Sequence, residues 1–161
     1  MSEIPTPSQT AGPFFSIGLE RMCEEIAAAA RSEVGAVTVR GRVLDGDGAA
    51  VPDALLEAWI PGEAGEFARA ATNEKGEFAF LIMRRGASHL AMVIFMRGLL
   101  RHLVTRMYFP GGAPHENDEV LRLVPEERRE TLFATAVPGQ PDAFEWTVRL
   151  QGENETVFFD V

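Results

Sequence analysis

One cysteine, three histidines and no long apolar run set the first limits on what this 161-residue chain can be. The lone cysteine, Cys23, excludes an internal disulfide framework and fits a reducing compartment, so a cytoplasmic location is expected. The longest apolar stretch, around residues 90–95, has the length of a strand and falls well short of the roughly 18 residues a membrane span needs. The first residues show no basic segment followed by an apolar one, the pattern of an export signal. Positive charge is scarce: 15 Lys and Arg stand against 24 Asp and Glu, a net charge of −9. That balance argues against nucleic acid or an anionic membrane as partner, because both require a basic face. There is no Gly-x-Ser-x-Gly elbow and no phosphate-cradling loop. The chain therefore carries no self-sufficient nucleophilic centre.

What is present describes one soluble domain over 1–161, with 46% apolar and 24% charged residues. Pro5, Pro7 and Pro13 disfavour helix and sheet interior, so 1–18 reads as an extended arm. Leu19, Met22, Cys23, Ile26, Ala27 and Ala30 recur at helical spacing opposite Glu20, Arg21, Glu24, Glu25 and Arg31. They predict a helix over 19–34, stopped by Gly35. From Ala36 the period falls to two: Val37, Val39, Gly41 and Val43 alternate with Thr38, Arg40 and Arg42. Further strands are expected at 53–60, 66–72, 77–83, 88–97, 101–109 and 143–151, divided by Gly, Pro and Asp turns such as Asp45-Gly46-Asp47-Gly48. A short helical turn is expected over 125–131. The pattern predicts an all-β, antiparallel β-sandwich over 36–161, preceded by the arm and one short helix.

The histidines and arginines carry what chemistry the residues suggest. His89 opens an apolar strand and reads as a partly buried, hydrogen-bonded side chain; His102 lies in a polar strand and reads as surface or interface. His115-Glu116-Asn117-Asp118 follows a Gly/Pro-rich loop with no second histidine nearby and reads as solvated. Cys23, on the apolar stripe of the helix, reads as a small inert core residue. Arg84, Arg85, Arg97, Arg101 and Arg106 form a basic cluster within an acidic chain. Arg97, in Phe95-Met96-Arg97-Gly98, offers a planar fork suited to a carboxylate; charge balance with neighbouring acids is the equal alternative.

Two short blocks carry a specific resemblance. The opening Thr6-Pro7-Ser8-Gln9-Thr10-Ala11-Gly12-Pro13 and the ending Gln151-Gly152-Glu153-Asn154-Glu155-Thr156-Val157-Phe158-Phe159-Asp160 resemble intradiol ring-cleavage dioxygenases. With Thr105-Arg106-Met107-Tyr108-Phe109 and Arg128-Arg129-Glu130-Thr131-Leu132, they resemble in particular the non-iron, α-type subunit of the two-chain members. The blocks span nearly the whole chain in the family's order. Relative to that subunit this chain is shortened between Trp59 and Thr72 and between Phe80 and His89. The middle of the chain, Val39 through Phe78, is shared with transthyretin-like sandwiches.

The resemblance implies a fold, a partner and a site. Such enzymes hold ferric iron, Fe(III), through two tyrosines and two histidines, a hard donor set suited to a highly charged ion. The ligand-equivalent positions here are Phe67, His89 and Ala91, and the chain has one tyrosine, Tyr108. The iron is thus expected on a partner β subunit, within an (αβ)n hetero-oligomer that cleaves a small aromatic acid, 3,4-dihydroxybenzoate. By the same resemblance, Thr10, Gly12, Pro13 and Arg97 are expected to line the substrate pocket shared with that β chain. Glycine permits close approach, proline stiffens the arm, and arginine neutralises an anionic substrate. A stand-alone transthyretin-like binding module, without catalytic activity, is the alternative reading. An independent iron enzyme is the third.

Overall fold

The computed structural model describes residues 6–31, 34–62, 65–111 and 117–160. A 19-residue helix, α1 (Pro13–Arg31), precedes strands β1 (Ala36–Leu44), β2 (Leu55–Trp59), β3 (Phe67–Ala71), β4 (Glu77–Met83), β5 (His89–Phe95) and β6 (Leu103–Tyr108). A short helix α2 (Glu119–Leu123), a 3-10 helix over Glu126–Leu132, and strands β7 (Thr135–Val137) and β8 (Gln140–Arg149) follow. The strands form two four-stranded sheets, ordered β4-β1-β8-β7 and β3-β2-β5-β6. The predicted all-β sandwich is the observed fold.

Its alternation is what places the core. In β4, Phe78, Phe80 and Ile82 point inward, and in β5 so do Leu90, Met92 and Ile94. Val39 and Val43 of β1 and Trp146 and Val148 of β8, at the centre of the sheet that contains β4, close the same core. Each such side chain, fully buried, is worth about 1.5–3 kcal/mol relative to exposure. On the outward face of this sheet, Arg40 of β1 pairs with Glu145 of β8 and Arg42 with Glu77 of β4, while Ala79, Leu81 and Met83 of β4 are apolar.

One strand pair departs from the antiparallel expectation. β1 and β8 run parallel, from Thr38↔Ala143 to Leu44↔Arg149. Gly41 sits at their closest approach: a Cβ there would lie 1.6 Å from the carbonyl oxygen of Trp146. Only hydrogen fits in that space.

The helix begins six residues earlier than predicted, and the arm is correspondingly shorter than 1–18, ending at Gly12. Pro13 is not a barrier but the helix's first residue, where its missing N–H costs nothing. Phe15 N donates to Gly12 O at 3.0 Å, closing the first turn. Phe15, Leu19, Met22 and Ile26 continue one helical spacing, and α1 packs on β3 and β4. Cys23 is partly buried, as its place on the stripe implies. Residues 32–33 lie outside the described residues, and Val34 is already in a turn.

Other boundaries moved for local reasons. β8 starts at Gln140 because residues 140–142 extend beyond the β1 pairing, so Pro141 removes no hydrogen bond there. α2 was not expected; Asp118 caps it, accepting from the N–H groups of Val120 and Leu121. β4 and β5 are joined by a short turn in which Ala87 N donates to Arg84 O at 2.8 Å, consistent with the shortening noted between Phe80 and His89.

Candidate functional site

The arm is fastened to the turn that follows β5. Thr10 Oγ1 accepts a hydrogen bond from Gly98 N at 2.7 Å and stands 3.5 Å from Met96 O. Thr10 therefore brackets Arg97 from both neighbouring residues. A groove of about 400 Å3 opens beside this junction, with Gln9, Thr10, Ala11 and Phe15 on one side and Phe95, Met96, Leu100 and His102 on the other. The structure thus brings Thr10 and Arg97 to one turn, with Gly12 and the start of α1 at Pro13 following directly along the arm. A Cβ on Gly12 would meet nothing within 4 Å, and its φ is not in the left-handed region, so no packing among the described residues requires glycine there. Phe15 contacts Phe95, with ring centroids 5.5 Å apart, and Phe95 in turn contacts His102 at 5.5 Å.

Arg97 is not bare. Its Nε stands 2.8 Å from Asp53 Oδ2, while the arginine side chain stays 61% exposed. The other arginines of the predicted cluster go separate ways. Arg84 lies over the rings of Phe109 and Phe144, at 4.5 and 5.7 Å, and burial lowers its pKa. Arg85 pairs with Glu66 at 2.6 Å, Arg101 stands 3.7 Å from Asp160, and Arg106 pairs with Asp118 at 3.2 Å. Strand alternation and the turn at 84–88 direct these side chains to different faces, so charge balance with local acids describes the cluster better than one basic patch.

Phe67, His89 and Ala91, which the family resemblance equates with iron ligands, share the outward face of the second sheet. In register, Phe67 pairs with Trp59, Trp59 with Ala91 and Ala91 with Arg106, while His89 pairs with Tyr108. The row is packed by its own side chains: Trp59 and Phe67 are in ring contact at 4.4 Å, and His89 and Tyr108 at 5.2 Å. Beside it, Arg69 is ion-paired to Glu57, both largely buried.

A polar cluster closes the His89 end. His89 Nδ1 lies 3.2 Å from Ser88 Oγ and 3.8 Å from Asp118 Oδ2. Arg106 Nη1 donates to the Tyr108 hydroxyl and to Asp118, each at 3.2 Å. Burial alone would raise the Asp118 pKa. Hydrogen bonds from Leu121 N and Tyr108, with the charges of Arg106 and His89, overcome it and hold the carboxyl below the ordinary aspartate range. Burial dominates at Tyr108 and pushes its phenol upward, against the opposing pull of Arg106. Asp118 is thus a half-buried cap and ion-pair partner rather than part of a solvated run. Its neighbours at 112–116, including His115, lie outside the described residues.

Sequence reasoning missed two acids. Asp118 had a signal, standing directly before an apolar-periodic segment where an N-cap belongs. Asp53 had none, because its partner is supplied by the turn after β5.

Relatives place this arrangement. The alpha chain of protocatechuate 3,4-dioxygenase from Burkholderia cepacia is 37% identical over 191 aligned residues, covering 97% of this chain and 97% of that one. The alpha chain from Pseudomonas putida is 35% identical over 193 residues, 96% of each. Among solved structures, the dioxygenase domain of a dioxygenase and carbohydrate-binding fusion from Streptomyces sp. SirexAA-E superposes with a TM-score of 0.55. It is 19% identical, over 75% of this chain and 82% of that one. No protein-family model matches. The sandwich is therefore that of the intradiol ring-cleavage dioxygenases. Within that class, the chain belongs to the family of protocatechuate 3,4-dioxygenase alpha chains. Full-length agreement with those chains favours the subunit reading over a stand-alone binding module.

The ferric site of such enzymes does not fit this chain. Phe67 and Ala91 offer no donor atom. His89 faces Ser88 and Asp118, and Tyr108 is fully buried with its phenol engaged by Arg106. Among the described residues no group of three or more His, Cys, Asp or Glu side chains is gathered as a metal site. No step of the reaction is assigned to a metal held here. No helix among them is long and apolar enough to cross a membrane.

Proposed function

We propose that this chain is the non-iron α subunit of a cytoplasmic protocatechuate 3,4-dioxygenase, working with a β chain that holds Fe(III). The complex opens the ring of 3,4-dihydroxybenzoate between its hydroxyl-bearing carbons, adds both atoms of O2, and yields 3-carboxy-cis,cis-muconate. This chain's part is to wall the pocket and support assembly. Thr10 holds the arm against the β5–β6 turn, and Gly12 leaves room for a partner group at close range. Pro13 fixes where the arm turns into α1, and Arg97 presents a guanidinium to the substrate carboxylate. Exposed Phe14, Ile17 and Leu100 give the same region an apolar surface for the β chain to cover in an (αβ)n assembly.

The observation that carries the reading is the ligand shortage at Phe67 and Ala91, in a chain whose family is named for its alpha subunits. Co-expression with a candidate β chain tests it, followed by iron analysis and oxygen uptake on 3,4-dihydroxybenzoate. Iron and activity are expected in the complex, and neither in the isolated chain. Stoichiometric ferric iron with a phenolate-to-iron colour in the isolated chain would overturn the assignment. So would failure of the two chains to associate.

A further inference from the structure

Opposite Arg97, just before β2, lies the largely buried acid Asp53. The β2–β5 pairing sets Leu55 against Phe95. Beyond that pair, the turn before β2 carries Asp53 and the turn after β5 carries Arg97, and the two side chains meet there. The environments of the two side chains are unequal: Asp53 is 13% exposed and Arg97 61%. Asp53 Oδ2 is itself buried, and though Arg97 Nε reaches it at 2.8 Å, the contact lacks hydrogen-bond alignment; no aligned donor serves it among the described residues. A buried carboxylate oxygen left without an aligned donor is costly, and such a group needs an explanation. Local backbone capping does not provide one, since Ala54 N is served by Thr72 Oγ1 instead. What Asp53 faces is the guanidinium.

We propose that Asp53 is a positioning residue for Arg97, holding the guanidinium by its Nε edge so that its terminal nitrogens are presented to the carboxylate of the aromatic acid. The inference rests on the carboxylate-binding role given to Arg97 above. A guanidinium is one rigid plane, so the charge attraction that holds its Nε edge 2.8 Å from the buried carboxylate oxygen leaves the opposite edge facing outward. The backbone at this point is fixed as well, because Gly98 N is held by Thr10 Oγ1. An exposed arginine without the acid would sample many rotamers and lose that freedom only on binding, which weakens the complex with substrate. Because Asp53 acts through Arg97, its effect belongs to binding of the carboxylate and not to turnover.

The test uses the reconstituted complex with its iron-bearing chain, assayed with 3,4-dihydroxybenzoate and with catechol, which has the same ring without the carboxylate. Catechol affinity is read as substrate or as competitive inhibitor. Asp53→Ala is expected to raise KM for 3,4-dihydroxybenzoate roughly fivefold, with kcat and catechol affinity unchanged. Asp53→Asn, which keeps an oxygen for Nε, should fall between. In an Arg97→Ala background, neither Asp53 substitution should add anything. An unchanged or lowered KM, an equal effect on both ligands, or effects that add to those of Arg97→Ala would overturn the proposal. Should the alanine variant fail to assemble, the asparagine variant in both backgrounds reads the same coupling. Arg97→Ala alone without effect on KM would show that the underlying reading of Arg97 is at fault.

Discussion

Thr10 and Gly98 are joined by a hydrogen bond of 2.7 Å across 88 residues of sequence, and through it the arm is fastened to the turn that carries Arg97. The bond is exposed, and a net worth of about 1 kcal/mol is appropriate for it. Thr10→Val keeps the shape and removes the acceptor, so the arm should spend about fivefold more time undocked. Faster protease cleavage within residues 6–12 and lower activity of the complex are the expected readouts. Thr10→Ser should behave as the parent. Equal cleavage rates for the valine and serine variants would deny the hydroxyl its role.

Asp118 gives the fold a defined response to acid. Its carboxyl is held below the ordinary aspartate value of about 3.9 by the Leu121 and Tyr108 hydrogen bonds and by Arg106 and His89, despite the opposing effect of burial. A group depressed in the folded state contributes its stability in full above the unfolded value and loses it as pH falls toward the folded one. Asp118→Asn removes that titration. Denaturant unfolding should show the parent losing more stability than the asparagine variant between about pH 5 and pH 3. Parallel losses in the two proteins would remove Asp118 from the account.

Gly41 tests the parallel pair. Any side chain there meets the Trp146 carbonyl oxygen, which is backbone and cannot swing aside. Gly41→Ala should destabilise the chain by about 3 kcal/mol or more, read as a lowered urea midpoint. A midpoint within experimental scatter of the parent would mean that β1 and β8 are not in this register.

Much of this was legible in the sequence. The alternation from Val37 to Val43 gave a strand and its inward face, because period two survives in any sandwich whose sheets have one solvated side. The family resemblance pointed to Phe67, His89 and Ala91 as ligand-equivalent, and the register sets these three on one face of the second sheet. The start of α1 was misread because Pro13 was weighed as a helix breaker, when the first turn is where proline is welcome. The arginine cluster was read two ways, and the pairings follow the charge-balance alternative. Neighbours in sequence on strands and turns point to different faces, and each of the five found its partner through tertiary contact. Asp53 illustrates the same limit, since only the fold sets it against Arg97.

The parallel pairing of β1 with β8 also dictates an order of events. The first strand of the chain cannot complete its sheet until nearly the last one has been synthesised, and contacts of such long sequence separation form slowly. Arg40 waits for Glu145, 105 residues later, to be satisfied on that face. A chain still being synthesised therefore has an open β1 edge until its end emerges.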